Sequence, residues 1–320
     1  MFTFLDCKAA GGFVRINKVF FQLIENIWLW LKYFLFFPIF SLFPTPFPYL
    51  LSRYLSRVDY WYNFAKKKSI RKWMNELLNG AHFSRRELNL ATRRYFEVIY
   101  CGEIDIYIYL LGFSKIFMRR LKIVGEQNLV EALGDGGGIL LSAHFGGGFW
   151  VIPFLKDLGI EAHFFSVDIK REDYPFKRAL YLYERLSNWV VGRASGRRVL
   201  YKRERKRGLI GPLEEGRWVI VLFDVPPFLV KEKMEVSFLG KKTWFPKGVI
   251  SVGKEMDVPI VPFFSYLDKK NCRRVCFEKP IYVKNEGKCV EECVRLIEKR
   301  ILERPDHWHL WPSVGQFFVQ

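Results

Sequence analysis

Acid is what this sequence has little of. Its 320 residues carry 33 Asp+Glu against 51 Lys+Arg, a formal net charge of +18. An excess of that size suits nucleic acid or an anionic membrane surface. The first option lacks its usual carriers, because no zinc finger, ribonucleoprotein sheet motif or basic zipper occurs. No internal repeat and no low-complexity linker breaks the chain, which suits one large domain, or one domain with an N-terminal appendage. Cysteine is sparse too, at six. Cys272 and Cys276, with Cys289 and Cys293, repeat a C-x3-C spacing. Residues 272–283 read as a strand, however, where positions four apart lie about 13 Å apart, so one ion cannot take both. The cysteines read as reduced, partly buried thiols of a cytosol-facing domain. Two further signatures are missing. No small-residue cleavage site follows the N-terminal apolar run, so it does not read as a signal peptide. No G-x-G-x-x-G opens a helix, since Gly134-Asp-Gly-Gly-Gly138 precedes its strand.

Apolar residues are abundant, at 50% of the chain, and 18% are aromatic, with 31 Phe, 15 Tyr and 10 Trp. Such rings favour membrane interfaces and apolar pockets, and a large core accounts for part of them. Residues 19–43 form the longest apolar stretch. They are long enough to span a bilayer, which takes about 20 residues. Glu25 and Lys32 interrupt them, and Pro38 sits late in the run. A spanning anchor and an in-plane interfacial helix are both open, with a buried core helix as the bland alternative. Basic clusters follow the run: Lys66-Lys67-Lys68 with Arg71-Lys72, Arg85-Arg86, Arg93-Arg94, Arg119-Arg120, and 193–207. By the positive-inside tendency the bulk of the chain stays cytoplasmic. Residues 1–51 thus read as a membrane-anchoring segment and 52–320 as the main domain.

Within that domain, 52–122 read as helical. From 123 onward strands and helices alternate. Strands are expected over 139–143, 162–167, 218–223 and 260–266, with an edge-like strand over 275–283. Helices are expected over 149–158, 174–190, 203–214, 245–256 and 290–303. The alternation predicts an α/β fold with a mixed central sheet flanked by helices and joined to the N-terminal membrane-associated helix.

The segment Gly138-Ile-Leu-Leu-Ser-Ala-His-Phe-Gly-Gly-Gly-Phe-Trp150 stands out. It runs a buried strand into His144 on a glycine-rich turn. Functional groups gather at the carboxyl ends of strands in such sheets. Glycines there allow close approach of the backbone to a substrate. A neutral imidazole at that place can take a proton from an attacking hydroxyl or amine. A structural histidine satisfied by backbone groups is the alternative. Asp224, in Phe-Asp-Val-Pro-Pro227, ends another strand and reads equally as a turn-former. Arg193 and Arg197 flank Ala194-Ser-Gly196 and are candidates to clamp a phosphate, though solvated surface is the plainer reading. Lys247-Gly248 opens a helix and suits an anion, though many helices begin this way. His307 and His309, among Trp308 and Trp311, read as packing or interface residues.

Leu140-Leu-Ser-Ala-His-Phe-Gly-Gly resembles the catalytic segment of the bacterial lysophospholipid acyltransferase superfamily, in its lipid A biosynthesis (lauroyl/myristoyl) branch. There an apolar strand ends in an H-x4-D/E motif. Other stretches are similar in the same order: Leu121-Lys-Ile-Val-Gly-Glu-Gln-Asn-Leu, Leu213 to Pro227, Val236-Ser-Phe-Leu-Gly-Lys with Phe245-Pro-Lys-Gly248, Val258 to Phe264, and Arg304 to Pro312. The resemblance implies transfer of a fatty acyl chain from an acyl carrier protein or acyl-CoA to a hydroxyl or amine of a membrane lipid, such as a lipid A precursor. It would act at the cytoplasmic face of the bacterial inner membrane. His144 is the implied general base, and the amides around Gly146, Gly147 and Gly148 are candidate oxyanion donors. Neither metal, cofactor nor nucleic acid is called for.

One position departs from the pattern. Phe149 stands where the family has its acid, which orients the imidazole and stabilises its charge. Three outcomes follow. Another strand-end acid substitutes, with Asp224, Asp168 or Asp173 as candidates. Alternatively the histidine works alone at reduced rate, or the chain is a non-catalytic lipid-binding or scaffold protein. A substitute acid requires a carboxylate within about 4 Å of the His144 ring.

Overall fold

A computed structural model describes residues 13–78, 83–111, 113–134, 136–268 and 271–318. The expectation of an α/β fold with a mixed central sheet holds. Among the described residues the strands are β1 (Lys122–Val124), β2 (Gly138–Ser142), β3 (Ala162–Ser166), β4 (Leu200–Tyr201), β5 (Trp218–Leu222), β6 (Lys233–Phe238), β7 (Lys241–Pro246), β8 (Ile260–Leu267) and β9 (Arg273–Phe277). Seven form one sheet in the order β1-β9-β8-β2-β5-β3-β4, and β6 and β7 form a separate hairpin. The inner strands β8, β2, β5 and β3 run parallel, and β9 is antiparallel to β8. Parallel strands covered on both faces read as continuous apolar runs, as Gly-Ile-Leu-Leu-Ser in β2 and Trp-Val-Ile-Val-Leu in β5 do. Alternation then divides their side chains. Ile139 and Leu141 enter one core cluster and Leu140 the other, on the opposite face of the sheet.

Several boundaries differ from expectation; the helices expected over 174–190 and 290–303 are Arg178–Ser195 and Glu286–Glu303, and three further differences bear on the site. The strand over 275–283 is not an edge. It is β9, ends at Phe277, and lies between β8 and β1. The helix expected over 245–256 begins only at Gly248, because Phe245 and Pro246 belong to β7. The helix after His144 begins at Val151, because Gly146 and Gly147 take positive φ and prolong the turn.

The apolar N-terminal run forms a helix, Phe13–Leu31, that continues through a π-helical turn, Lys32–Phe36, into Phe37–Ser41. By length and composition, Gln22–Ser41 would suffice to cross a membrane. The helix lies against the domain. Tyr33 stacks on Tyr183 with ring centroids 4.1 Å apart, and Phe37 meets Tyr100 edge-on. The two interrupting charges face inward. Lys32 is buried, 2.6 Å from Glu103 and 4.0 Å from the centre of the Tyr100 ring, while Glu25 pairs with Lys177 at 2.9 Å. Leu23, Ile27, Trp30, Phe34, Leu35 and Ile39 remain exposed. The boundary expected at 51 falls inside the helix Phe47–Tyr62, whose Tyr49 hydroxyl donates to Asp105 of the long helix Arg85–Leu110. That long helix starts with a capping box, in which Ser84 and Glu87 satisfy each other's backbone N–H.

Candidate active site

The parallel register places the two main candidates side by side. Ser142 of β2 is level with Leu222 of β5. Two residues beyond each stand His144 and Asp224, and the Phe223 N–H donates to the Ser142 carbonyl at 2.7 Å. His144 Nδ1 lies 2.9 Å from Asp224 Oδ1. Its own backbone N–H reaches both carboxylate oxygens at 2.9 Å. The Trp308 indole Nε1–H donates to Oδ2 at 2.8 Å. Asp224 is fully buried, and the His144 side chain is 13% exposed. An ionised carboxylate accepts only, so Nδ1 carries the proton and the lone pair stands on Nε2. A buried carboxylate held this way fixes the tautomer and stabilises an imidazolium. The pair can therefore take up and return one proton. The expected acid within about 4 Å is Asp224.

The segment after the last helix closes the site. Phe145 bridges to Trp308 in antiparallel fashion, the Gly146 N–H donates to the His307 carbonyl at 2.8 Å, and the His309 N–H donates to the His144 carbonyl at 2.8 Å. Trp308 and His309 are more than packing residues. Their sequence signal was weak, because a buried indole shows its need for an acceptor only in three dimensions. Arg273 was missed outright. Buried in β9, it bonds the Gly146 carbonyl, the Cys101 carbonyl at 2.5 Å and Asp105 at 2.7 Å. It thereby braces the glycine turn from behind. Burial pushes the Cys101 thiol up to about 12, so it stays protonated and is no nucleophile.

The glycines divide. A Cβ on Gly146 would meet the Ser265 carbonyl oxygen at 1.9 Å. Its amide, given to His307, is withdrawn from the expected oxyanion role. Gly147 and Gly148 line the cleft in front of His144. Phe149 is buried against Tyr109 and Trp150, with ring centroids 5.4 and 5.5 Å away.

The remaining candidates do not join the pair. Asp168 lines the cleft but pairs with Arg203 at 3.0 Å, and Asp173 is exposed in a short turn. Arg197 pairs with Glu161, which precedes β3 and so lies at the opposite end of the sheet from His144. Arg193 packs over the Trp189 ring, 5.6 Å from its centre. The helix Arg178–Ser195 runs back along the sheet, which carries both arginines away from the strand ends. The helix start at Lys247-Gly248 is already occupied by acids. Lys247 Nζ lies 2.8 Å from Glu286, and the Glu232 carboxylate approaches within 3.5 Å of a Cβ on Gly248.

His144 opens on a cleft of about 2310 Å³. Trp28 and Tyr33 of the N-terminal helical segment, with Ile106, Phe149, Ile152 and Tyr183, are among the residues that line it. Lys202, Arg203 and Lys206 stand at its rim. No model of a known protein family matches the sequence, and no curated protein matches it.

Proposed function

We propose that this chain is an acyltransferase of the lipid A biosynthesis type that its motifs resemble. It would move a fatty acyl group from an acyl thioester, on acyl carrier protein or coenzyme A, to a hydroxyl or amine of a lipid or glycolipid such as a lipid A precursor. The observation that carries this reading is the His144–Asp224 pair at the wall of a large, mostly apolar cleft. The acceptor hydroxyl gives its proton to His144 Nε2 while its oxygen attacks the thioester carbonyl carbon. The carbonyl π electrons move onto oxygen. When they return, the C–S bond breaks, and the thiolate takes the proton back from the imidazolium. Asp224 stabilises the charged ring between these steps. The apolar cleft suits an acyl chain, and the basic rim suits an acidic carrier. Exposed rings on the N-terminal helix suit the cytoplasmic face of a bacterial inner membrane.

The test uses the purified full chain with labelled acyl thioesters and membrane lipid extracts. Transfer by the wild type and its loss in His144→Ala is the expected result. Equal transfer by both, or none by the wild type, would sink the assignment. Vesicle binding without transfer would leave the lipid-binding or scaffold role.

A further inference from the structure

The helix Phe47–Tyr62 has a polarity inverted for life in water. Its buried face, against the long helix Arg85–Leu110, carries Tyr49 and two serines, Ser52 and Ser56. Its outer face carries Phe47, Leu50, Tyr54, Val58 and Trp61. These five are exposed and stand three or four residues apart, so they form one stripe. Tyr54 is 63% exposed and Trp61 76%. Phe64, exposed at the start of the next helix, Phe64–Leu78, prolongs the stripe. Leu42 and Phe43, exposed as well, join it to the apolar outer face of the N-terminal helix. Small residues inward let two helices approach closely, and a continuous apolar surface outward marks a partner.

Charge along the stripe says what that partner is. Arg57, exposed at its edge, lies over the Tyr54 ring, 4.3 Å from its centre. Lys67 holds Nζ over the rings of Tyr60, Trp61 and Phe64, 4.8, 5.6 and 5.1 Å from their centres. Lys68 is exposed on the same helix, and Arg71 donates to the Tyr60 hydroxyl at 2.7 Å. Among the described residues no carboxylate pairs with any of these four cations. Apolar side chains edged by uncompensated cations match the boundary between acyl chains and phosphate headgroups. We infer that the helix Phe47–Tyr62 and the start of the next one form a docking surface for an anionic lipid bilayer. The helix lies in the membrane plane, with Tyr54, Val58, Trp61 and Phe64 among the acyl chains and Arg57 and Lys68 at the headgroup phosphates. A second copy of this chain is a poorer occupant, because a two-fold contact brings these cations together and supplies no acid. Tyr62, Asn63 and Lys66 of the same turn line the cleft, so its mouth adjoins the lipid surface. The inference stands apart from acyl transfer, and its failure leaves that reading to its own test.

The full chain is titrated with vesicles of phosphatidylcholine alone, and of equal parts phosphatidylcholine and phosphatidylglycerol, and bound protein is measured by flotation. Each variant is made in the wild-type chain and in one with Ile27, Trp30 and Phe34 replaced by Ser, so that the N-terminal helix does not hide the effect. Tyr54→Ser with Val58→Ser and Trp61→Ser is expected to weaken binding to both kinds of vesicle by roughly 10²-fold or more. Arg57→Gln with Lys68→Gln is expected to weaken binding to the anionic vesicles alone, by roughly 30-fold, a difference that salt at about 1 M removes. All five side chains are exposed, so thermal midpoints should stay near wild type. A loss under threefold for the serine variant in both backgrounds overturns the proposal. So does a glutamine variant that loses nothing, or loses equally on neutral and anionic vesicles, and so do midpoints lowered enough to explain the losses. A dimer seen by sedimentation velocity without lipid, broken by the serine substitutions while vesicle binding is unchanged, would assign the surface to a second copy instead.

Discussion

Position 149 is where the resemblance and the structure part most sharply. Phe149 lies against Tyr109 and Trp150 and is only 8% exposed. A carboxylate placed there would be buried among rings. Phe149→Asp is therefore expected to destabilise the fold by about 3–5 kcal/mol in urea titrations, without raising transfer. Trp308→Phe is the complementary change. It removes one donor from a buried carboxylate and is expected to lower stability by about 1.5–3 kcal/mol, with transfer down by roughly tenfold or more. His309 gives a pH signature whose sign can be worked out. Its folded pKa lies below the ordinary value of 6.5. As pH falls below that value the unfolded chain takes up the proton first, so stability falls with it; at higher pH this contribution is constant. The gap between unfolding midpoints at pH 7.5 and pH 5.5 should narrow in His309→Phe.

At the scale of elements, the signal was strongest where one force acted alone. The runs 139–141 and 218–222 are apolar throughout and bounded by glycine, serine or turn residues, so their burial in parallel strands was legible. The hairpin of β6 and β7 was not. Its outward positions carry Lys, Glu and Trp, and only the inner set, Val236, Phe238, Thr243 and Phe245, is buried. Its end ran into the next helix, so Phe245 was assigned to the wrong period. Asp224 was one of three strand-end acids, and register alone singles it out. Arg273 offered no reading at all, since one cation in a strand does not announce a buried partner 168 residues away. Its pairing invites a test. Arg273→Leu should cost about 3–5 kcal/mol by stranding Asp105, and Arg273→Leu with Asp105→Leu should regain much of that loss. Chemical denaturation of the single and double variants measures it.

Across the whole molecule, the N-terminal helix serves two surfaces. Its inner face supplies Tyr33 and Phe37 to the core, and Tyr49 follows close behind. Deleting 1–51 is therefore expected to yield an insoluble chain rather than a soluble domain freed of its anchor. Replacing Ile27, Trp30 and Phe34 with Ser leaves the core untouched, because all three are exposed. Each large apolar side chain taken out of water is worth about 1.5–3 kcal/mol. Co-sedimentation of the triple variant with anionic vesicles should thus fall steeply while its thermal midpoint stays near wild type. Unchanged binding would shift the membrane contact to the basic clusters, and rising salt would then release the protein.

The threads that hold Asp224 come from widely separated parts of the chain, His144 before it and Trp308 well after it. This sets an order in time. During synthesis the apolar helix emerges before the strands of the sheet. The His144–Asp224 pair lacks its indole donor until Trp308 arrives. At roughly 5–20 residues per second, that interval after His144 is on the order of ten seconds. Until then the buried Asp224 carboxylate is one hydrogen bond short of its final set.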